Sequence, residues 1–442
     1  MNDNRLDLIE KNLKLKNIQE YEILFIDRMN YETIFLKTNS ETEREVNDFE
    51  YIMRILTQKG DQTGIGVVKG NSFDSKEISK NIEVCELISK NNISSKYHFP
   101  EKKTPQDILI AEDKILKDPE GSKKVLSEEL VTVVEEQKGV VPTFGRFRIH
   151  TQKKFLRNSN GLDVSALKTF FFIEFSLKAE KNGKLSEFWI NQYFKEKSHL
   201  DFQSRVEKWA KLARDNLNAK PPKPSKKATV VFAPYELHKA IIPVVGFHAS
   251  GQALSQNLSS YKLDEEVASE DISVADNGLL EGGLSTNPWD GEGTPHQNTE
   301  IIRNGIFQSR IFDEKYAILE NTESTGNGIR GISGAVDNGV SNFQIYPGDI
   351  TLEEMISNIK EGYIIEKFSW LNPEELSGFF GAEIRNGYYI KNGEFKNPIK
   401  LGNVSGNVLE MIKNCQHISK ETEFIENSLL PYIAFSNLTV SF

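Results

Sequence analysis

Apolar residues fall at helical spacing at Leu6, Ile9, Leu13 and Ile18, predicting an amphipathic helix first. Residues 21–36 then switch to a strand-like pattern. They read as two strands, 22–26 and 31–36, around a polar turn near 27–30. Residues 49–57 fit strand or helix, and 64–70 (GIGVVKG) is a glycine-punctuated strand. Helical spacing returns over 75–91 through Ile78, Ile82, Cys85 and Ile88, with Ser75 placed as the cap. This order predicts an α+β unit with a mostly antiparallel sheet.

Residues 98–121 are polar and carry Pro100, Pro105 and Pro119, as expected of a connector with one short helix over 105–116. A helix follows over 125–137. Residues 144–177 alternate strongly, with a turn at 158–161 and a further hairpin turn at 181–184. The run 170–175 (FFFIEF) is apolar on both faces, which marks a core strand rather than a stacking surface. Residues 200–217 form a helix with Val206, Trp209, Ala210, Ala213 and Leu217 on one face. Residues 220–227 (KPPKPSKK) read as a linker, because proline opposes helix and sheet and lysine keeps the segment in water. Without aromatic platforms, those lysines suit a solvated loop better than a nucleic-acid contact.

Beyond the linker, 228–233 predicts a strand and 234–250 a partly helical stretch. Asn304-Gly305 and Asn392-Gly393 mark hairpins. Thr351 with Glu354 forms a capping-box pattern that opens a helix to residue 361. A short helix over 408–413 and a strand over 432–442 complete the pattern. The expected division is an N-terminal α+β domain (1–110), a central β-rich region packing with it (111–219), the Lys/Pro linker (220–228) and a β-rich C-terminal domain (229–442).

The chain has 442 residues, a net charge of −10, 38% hydrophobic and 27% charged residues. This is a globular balance, and the acidic total opposes a broad nucleic-acid surface. Cys85 and Cys415 are its two cysteines, too few for a disulfide framework or a four-cysteine zinc site. No apolar run approaches the roughly 18 residues of a membrane span, and the start lacks a secretory apolar core, so the cytoplasm is the expected location.

The richest chemistry lies in 284–330, which holds two glycine-rich turns. The first contains Asp290, Glu292 and Gly293; the second is Ser324-Thr325-Gly326-Asn327. Asp and Asn bond their own backbone in such turns, so the carboxylates are first read as turn-stabilising. His296 beside them makes a His-plus-carboxylate metal site the sharper alternative. The second turn suits either a substrate or anion contact or a plain turn. His238 and His248 lie ten residues apart with Pro243 between, which opposes a shared metal. Cys415 has no activating neighbour in sequence and reads as a buried structural thiol.

Eight short motifs then occur in one order: 230–234 (VVFAP), 285–293 (STNPWDGEG), 301–306 (IIRNGI), 324–327 (STGN), 342–348 (NFQIYPG), 381–387 (GAEIRNG), 397–400 (NPIK) and 404–407 (VSGN). This succession resembles the TldD/PmbA family, whose members are called modulators of DNA gyrase and are implicated as a peptidase system. Residues 64–68 and 158–161 agree more loosely. TldD-like members carry an H-E-x-x-x-H zinc motif on the helix after the first of these strands. Laid on that motif, this chain has His238 at the first ligand, Lys239 at the catalytic glutamate and Pro243 at the second ligand. The resemblance also calls for a Cys-Gly ligand turn before the last strand, where this chain has Glu426-Asn427-Ser428. It therefore resembles the PmbA branch, also called TldE, which lacks the metal site.

The resemblance implies a non-catalytic subunit with no cofactor of its own. Zinc is expected only in a TldD-like partner, in a heterodimer that cleaves unfolded peptides held as an added strand. The alternative is a stand-alone homodimeric binding or scaffold protein. A third reading is a self-sufficient hydrolase using His238, His248 or Cys415.

Overall fold

In the computed structural model, which describes residues 4–442, seven strands between residues 21 and 194 build one antiparallel sheet. They are β1 (Tyr21–Leu36), β2 (Asn39–Lys59), β3 (Gln62–Gly70), β4 (Ile93–Ser94), β5 (Val141–Asn158), β6 (Asp163–Lys181) and β7 (Lys184–Phe194), in spatial order β4-β3-β2-β1-β5-β6-β7. Helices α1 (Asn4–Leu15), α2 (Ser75–Asn91), α3 (Asp113–Lys117), α4 (Pro119–Glu135) and α5 (Phe202–Asp215) accompany it. Ile23, Phe25, Tyr51 and Met53 pack on α1 and α2, while Phe147, Ile149, Phe171 and Ile173 pack with α4 and α5. On the other face, Leu24, Ile26, Ile52 and Leu156 meet Leu162 and Trp289. Apolar residues on both faces explain why β1 begins as a continuous hydrophobic run.

The structure corrects several expectations. Residues 21–36 are one strand, because β1 is paired on both sides, Asp27 lying opposite Phe49 and Lys153. The polar residues 27–30 lie within the strand, and Arg28 bonds Glu50 at 3.4 Å. Asp74, not Ser75, caps α2, accepting from the N–H groups of Lys76 and Glu77 at 2.8 and 3.2 Å. The helix expected over 105–116 is reduced to α3, because the preceding backbone bonds to β6: the Thr169 N–H donates to the Ile110 carbonyl at 3.2 Å. α2 lies so close to β3 that a Cβ at Gly66 would stand 1.9 Å from the Cys85 carbonyl oxygen.

In the C-terminal half, β8 (Ser225–Phe232) begins one residue after Pro224, so the strand takes in the end of the Lys/Pro segment. Earlier in that segment the Lys220 N–H donates to the Pro398 carbonyl at 3.0 Å. Next come β9 (Val274–Asn277), β10 (Asn298–Arg303), β11 (Ile306–Phe307), β12 (Gly328–Arg330), β13 (Val336–Asn338) and β14 (Phe343–Ile345). The last six are β15 (Glu361–Phe368), β16 (Phe379–Lys391), β17 (Glu394–Ile399), β18 (Asn403–Asn407), β19 (Cys415–Ile425) and β20 (Ser428–Ser441). β8, β15, β16, β18 and β20 pair in succession, and β20 pairs back onto β8, closing a ring. β14, β9, β10 and β11 extend outward from β20.

Helix α6 (Pro234–Ala249) follows β8 directly. It runs unbroken through Pro243, against the expectation of a partly helical stretch. Proline removes one backbone hydrogen bond, but Leu237, Ile241, Val244 and Val245 are buried in the main C-terminal core and hold the helix. The Asn304-Gly305 and Asn392-Gly393 turns have both residues at positive φ, as two-residue hairpins require. The Thr351–Glu354 capping box is present, though its helix ends at Ser357, before β15. Among the described residues no helix is long and apolar enough to cross a membrane.

Candidate functional site

The two glycine-rich turns are strapped together. Asp290 Oδ1 accepts from the N–H groups of Glu292 and Thr294 at 2.9 and 3.0 Å, and its Oδ2 accepts from Gly328 N–H at 2.7 Å. Gly291 N–H donates to the Gly328 carbonyl at 2.6 Å. In the second turn Ser324 Oγ donates to the Phe312 carbonyl at 3.1 Å, Thr325 Oγ1 to Asn327 Oδ1 at 2.6 Å, and Asn327 Nδ2 to Asp276. Gly326 has φ +75°, and a Cβ there would stand 2.5 Å from the Pro295 carbonyl oxygen. Gly293 closes against Leu162.

Glu292 links these turns to the N-terminal sheet. It accepts from Tyr97 Oη at 2.6 Å, Arg54 Nη2 at 3.5 Å and Glu314 N–H at 3.0 Å. Arg54 reaches both oxygens of Glu22, at 2.8 and 2.7 Å, and Arg330 Nη2 donates to Glu22 Oε1 at 2.7 Å. Burial opposes the Glu22 charge, yet Arg330 and Arg54 hold its carboxyl below the usual carboxylate range. Burial, and then the charge of Glu292, raises Asp290. Each of the four carboxylate oxygens of Asp290 and Glu292 accepts a hydrogen bond, so the pair holds two loops and two lobes in place. Sequence reasoning did not single out Glu22, Arg54, Tyr97 or Arg330.

A cavity of about 640 Å³ opens between the second face of the N-terminal sheet and these turns. Lys154, Lys168, His296 and Arg330 line it. Lys168 Nζ donates to the Leu284 and Thr286 carbonyls. Burial pushes His296 down to about 4. Burial, with Arg28 and Arg330 adding repulsion, pushes the Lys154 ammonium down to about 8. A cation with a depressed folded pKa costs stability while charged, and the cost fades as pH rises from about 8 toward the unfolded value near 10.4. The stability gap between wild type and Lys154→Met is therefore expected to shift in favour of wild type across that window, read from paired urea titrations at pH 7, 8.5 and 10. A constant gap would contradict the depressed Lys154.

The degenerate metal position lies elsewhere, on α6. His238 Nδ1 and Ser428 Oγ, at the opening of β20, are 2.9 Å apart. Ser428 Oγ donates to the Ile425 carbonyl at 2.8 Å, so the His238 proton is assigned to Nδ1. Burial, then Lys239, pushes His238 down to about 4. Lys239 Nζ lies 3.3 Å from Glu236 Oε1, and burial raises the Glu236 carboxyl, offset in part by Lys239 and the Phe368 backbone. One imidazole, an ammonium and a proline do not supply the donors of a zinc site, so the residues present do not fit the metal that the H-E-x-x-x-H motif would hold. Among the described residues no three His, Cys, Asp or Glu side chains are placed to hold a metal ion. His248 is separate: its Nε2 meets the Leu376 carbonyl at 3.1 Å and its Nδ1 accepts from Ser260 N–H at 3.0 Å. Cys415 is buried, which pushes its thiol up to about 12.

A second cavity, about 330 Å³, lies beside the start of α6. Residues 422–425 of β19, Tyr235 and Lys367 line it. Burial, then Lys239, pushes Lys367 down to about 7.

Residues 225–442 match the PmbA/TldA metallopeptidase C-terminal domain. A metalloprotease of Methanocaldococcus jannaschii is 25% identical over 440 residues, covering 94% of this chain and 93% of that protein. An uncharacterised protein of the same organism is 27% identical over 354 residues, covering 79% of this chain and 80% of its own. The crystal structure of TldE from Thermococcus kodakarensis has a TM-score of 0.83 at 22% identity, covering 100% of both chains. That likeness places the α+β fold beside a known architecture along the whole length. Residues 225–442 thus belong to the metallopeptidase-like TldD/PmbA family through its C-terminal domain, and the whole chain shares the fold of the TldE structure.

Proposed function

We propose that this chain is a TldE-like, non-catalytic subunit of a zinc-dependent peptidase acting on unfolded peptides, with the zinc carried by a TldD-like partner. The observation that carries this reading is the environment of His238. Its Nδ1 is bonded to Ser428, and Lys239 is turned to Glu236 where the motif would place a base. A neutral imidazole held by serine orders α6 against β20, and the position of the motif's catalytic glutamate carries an ammonium, engaged with the fully buried Glu236. Peptide capture is supported by residues 422–425 of β19, which pair with β20 on one side and line the second cavity, beyond the part of the outer edge that residues 348–350 cover at Ser419 and Lys420. An extended peptide added to such an edge gains main-chain hydrogen bonds with little demand on sequence.

The test is zinc content and hydrolysis of an unfolded protein substrate by the pure chain, by a TldD-like partner and by the mixture. We expect substoichiometric zinc and no hydrolysis in the pure chain, and cleavage in the mixture with zinc tracking the partner. Stoichiometric zinc with chelator-sensitive hydrolysis by this chain alone would overturn the reading.

A further inference from the structure

The first cavity joins an uncompensated positive wall to an apolar floor. Lys154 and Lys168 stand on neighbouring strands of the same sheet face, offset by two residue positions. Lys154 makes no hydrogen bond or ion pair with any described residue, and Lys168 is held by carbonyl oxygens alone. The charges that bear on them are all positive: Arg28 and Arg330 on Lys154, Lys154 and Lys195 on Lys168. The nearby acids are already engaged. Glu50 takes Arg28 and Lys69, Asp48 lies 3.8 Å from Arg28, Asp290 accepts from three backbone N–H groups, and Glu22 takes Arg54 and Arg330. Gathering like charges in a partly buried site costs free energy that a bound anion returns. The floor beside them is made by Leu24, Ile26, Ile52 and Trp289. A bare phosphate would leave that floor unused, whereas a carboxylate attached to an apolar side chain would fill both parts.

We propose that the cleft between the N-terminal sheet and the 284–296 loop binds the free C-terminal carboxylate of a peptide ending in an apolar residue, with Lys154 and Lys168 as its anion contacts. The assignment rests on the peptide-binding reading above and adds a chain-end subsite to it. Lysines act here as point charges, so the subsite selects charge and position rather than a bidentate geometry. The cavity of about 640 Å³ has room for a terminal residue and its neighbour.

The experiment is calorimetric titration of the full chain with a leucine-ending hexapeptide as the free acid and as the C-terminal amide, with inorganic phosphate as competitor. The free acid should bind roughly 10- to 100-fold more tightly than the amide, the range for one or two charge-assisted hydrogen bonds. Lys154→Gln and Lys168→Gln, each checked for an unchanged melting profile, should erase that difference, and Lys154→Arg should restore part of it. Equal binding of acid and amide by wild type would overturn the subsite while leaving peptide capture standing. Binding of neither peptide would overturn both. Phosphate displacing the acid at equal concentration would overturn the carboxylate assignment in favour of a general anion site. The acid–amide comparison needs no variant, so a variant that fails to fold leaves the test intact.

Discussion

Arg54→Met is expected to destabilise the folded chain by about 3–5 kcal/mol, the cost of breaking a buried ion pair from one side. Arg54 and Glu22 are 3% and 0% exposed, and Arg54 donates to Glu22, while also approaching Glu292. Methionine fills much of the space but leaves Tyr97 and two carboxylates to share what remains. Arg330 still reaches one oxygen of Glu22, at 2.7 Å. The measurement is the urea midpoint of the variant, followed both by tryptophan fluorescence and by far-ultraviolet circular dichroism. A loss below about 1 kcal/mol would show that Arg330 alone suffices for Glu22, placing the pair among weakly contributing ion pairs. Because the network joins β1 and β2 to the 290–292 turn, the variant should also loosen the cleft that holds Lys154.

Gly66→Ala is expected to have a comparable effect by a different route. The new Cβ would stand 1.9 Å from the Cys85 carbonyl oxygen, and a backbone atom inside α2 cannot swing aside as a flexible side chain can. Either α2 shifts bodily or β3 bends, and both disturb the packing of Ile78, Ile82 and Cys85. The cost should reach or exceed the roughly 3 kcal/mol upper end of ordinary overpacking. Gly381→Ala is the matched control, since the nearest atom to its Cβ is Ser405 Cβ at 3.9 Å, and its effect should stay within about 0.5 kcal/mol. Hydrogen exchange would localise the loss to α2 amides in Gly66→Ala. Equal midpoints for the two variants would refute the close-approach account.

The features readable from the chain were those with local causes. Asn304-Gly305 and Asn392-Gly393 each carry their turn in two residues, and Thr351 with Glu354 carries its cap in four. The Asp290 turn was legible as turn chemistry because its acceptors and donors lie mostly within four residues. Glu22, Arg54 and Arg330 were not, since Arg54 lies 32 residues from Glu22, and Arg330 lies 308. A usable signal was present: Glu22 is a carboxylate inside the otherwise apolar run 21–26, a placement that requires a buried cation. Lys154 was hidden by its neighbour. Lys153 and Lys154 look alike in sequence, but alternation along β5 sends Lys153 to open solvent and Lys154 to the cleft. The break expected between residues 27 and 30 failed for a similar reason, because the polar residues there have distant partners on both faces of the strand: Arg28 lines the cavity, and Asp27 pairs with Arg5 of α1.

The ring of strands also sets a timetable. β8 leaves the ribosome roughly 200 residues ahead of β20, its antiparallel partner in the closure, a wait on the order of 10–40 s at ordinary translation speed. The N-terminal sheet is complete before that interval starts, since its strands all precede residue 195. During the wait, Val230, Val231 and Phe232 gain α6 and then β15 as neighbours but lack β20 on their other edge. The ring therefore cannot close until β20 has emerged, however early its first strand is made.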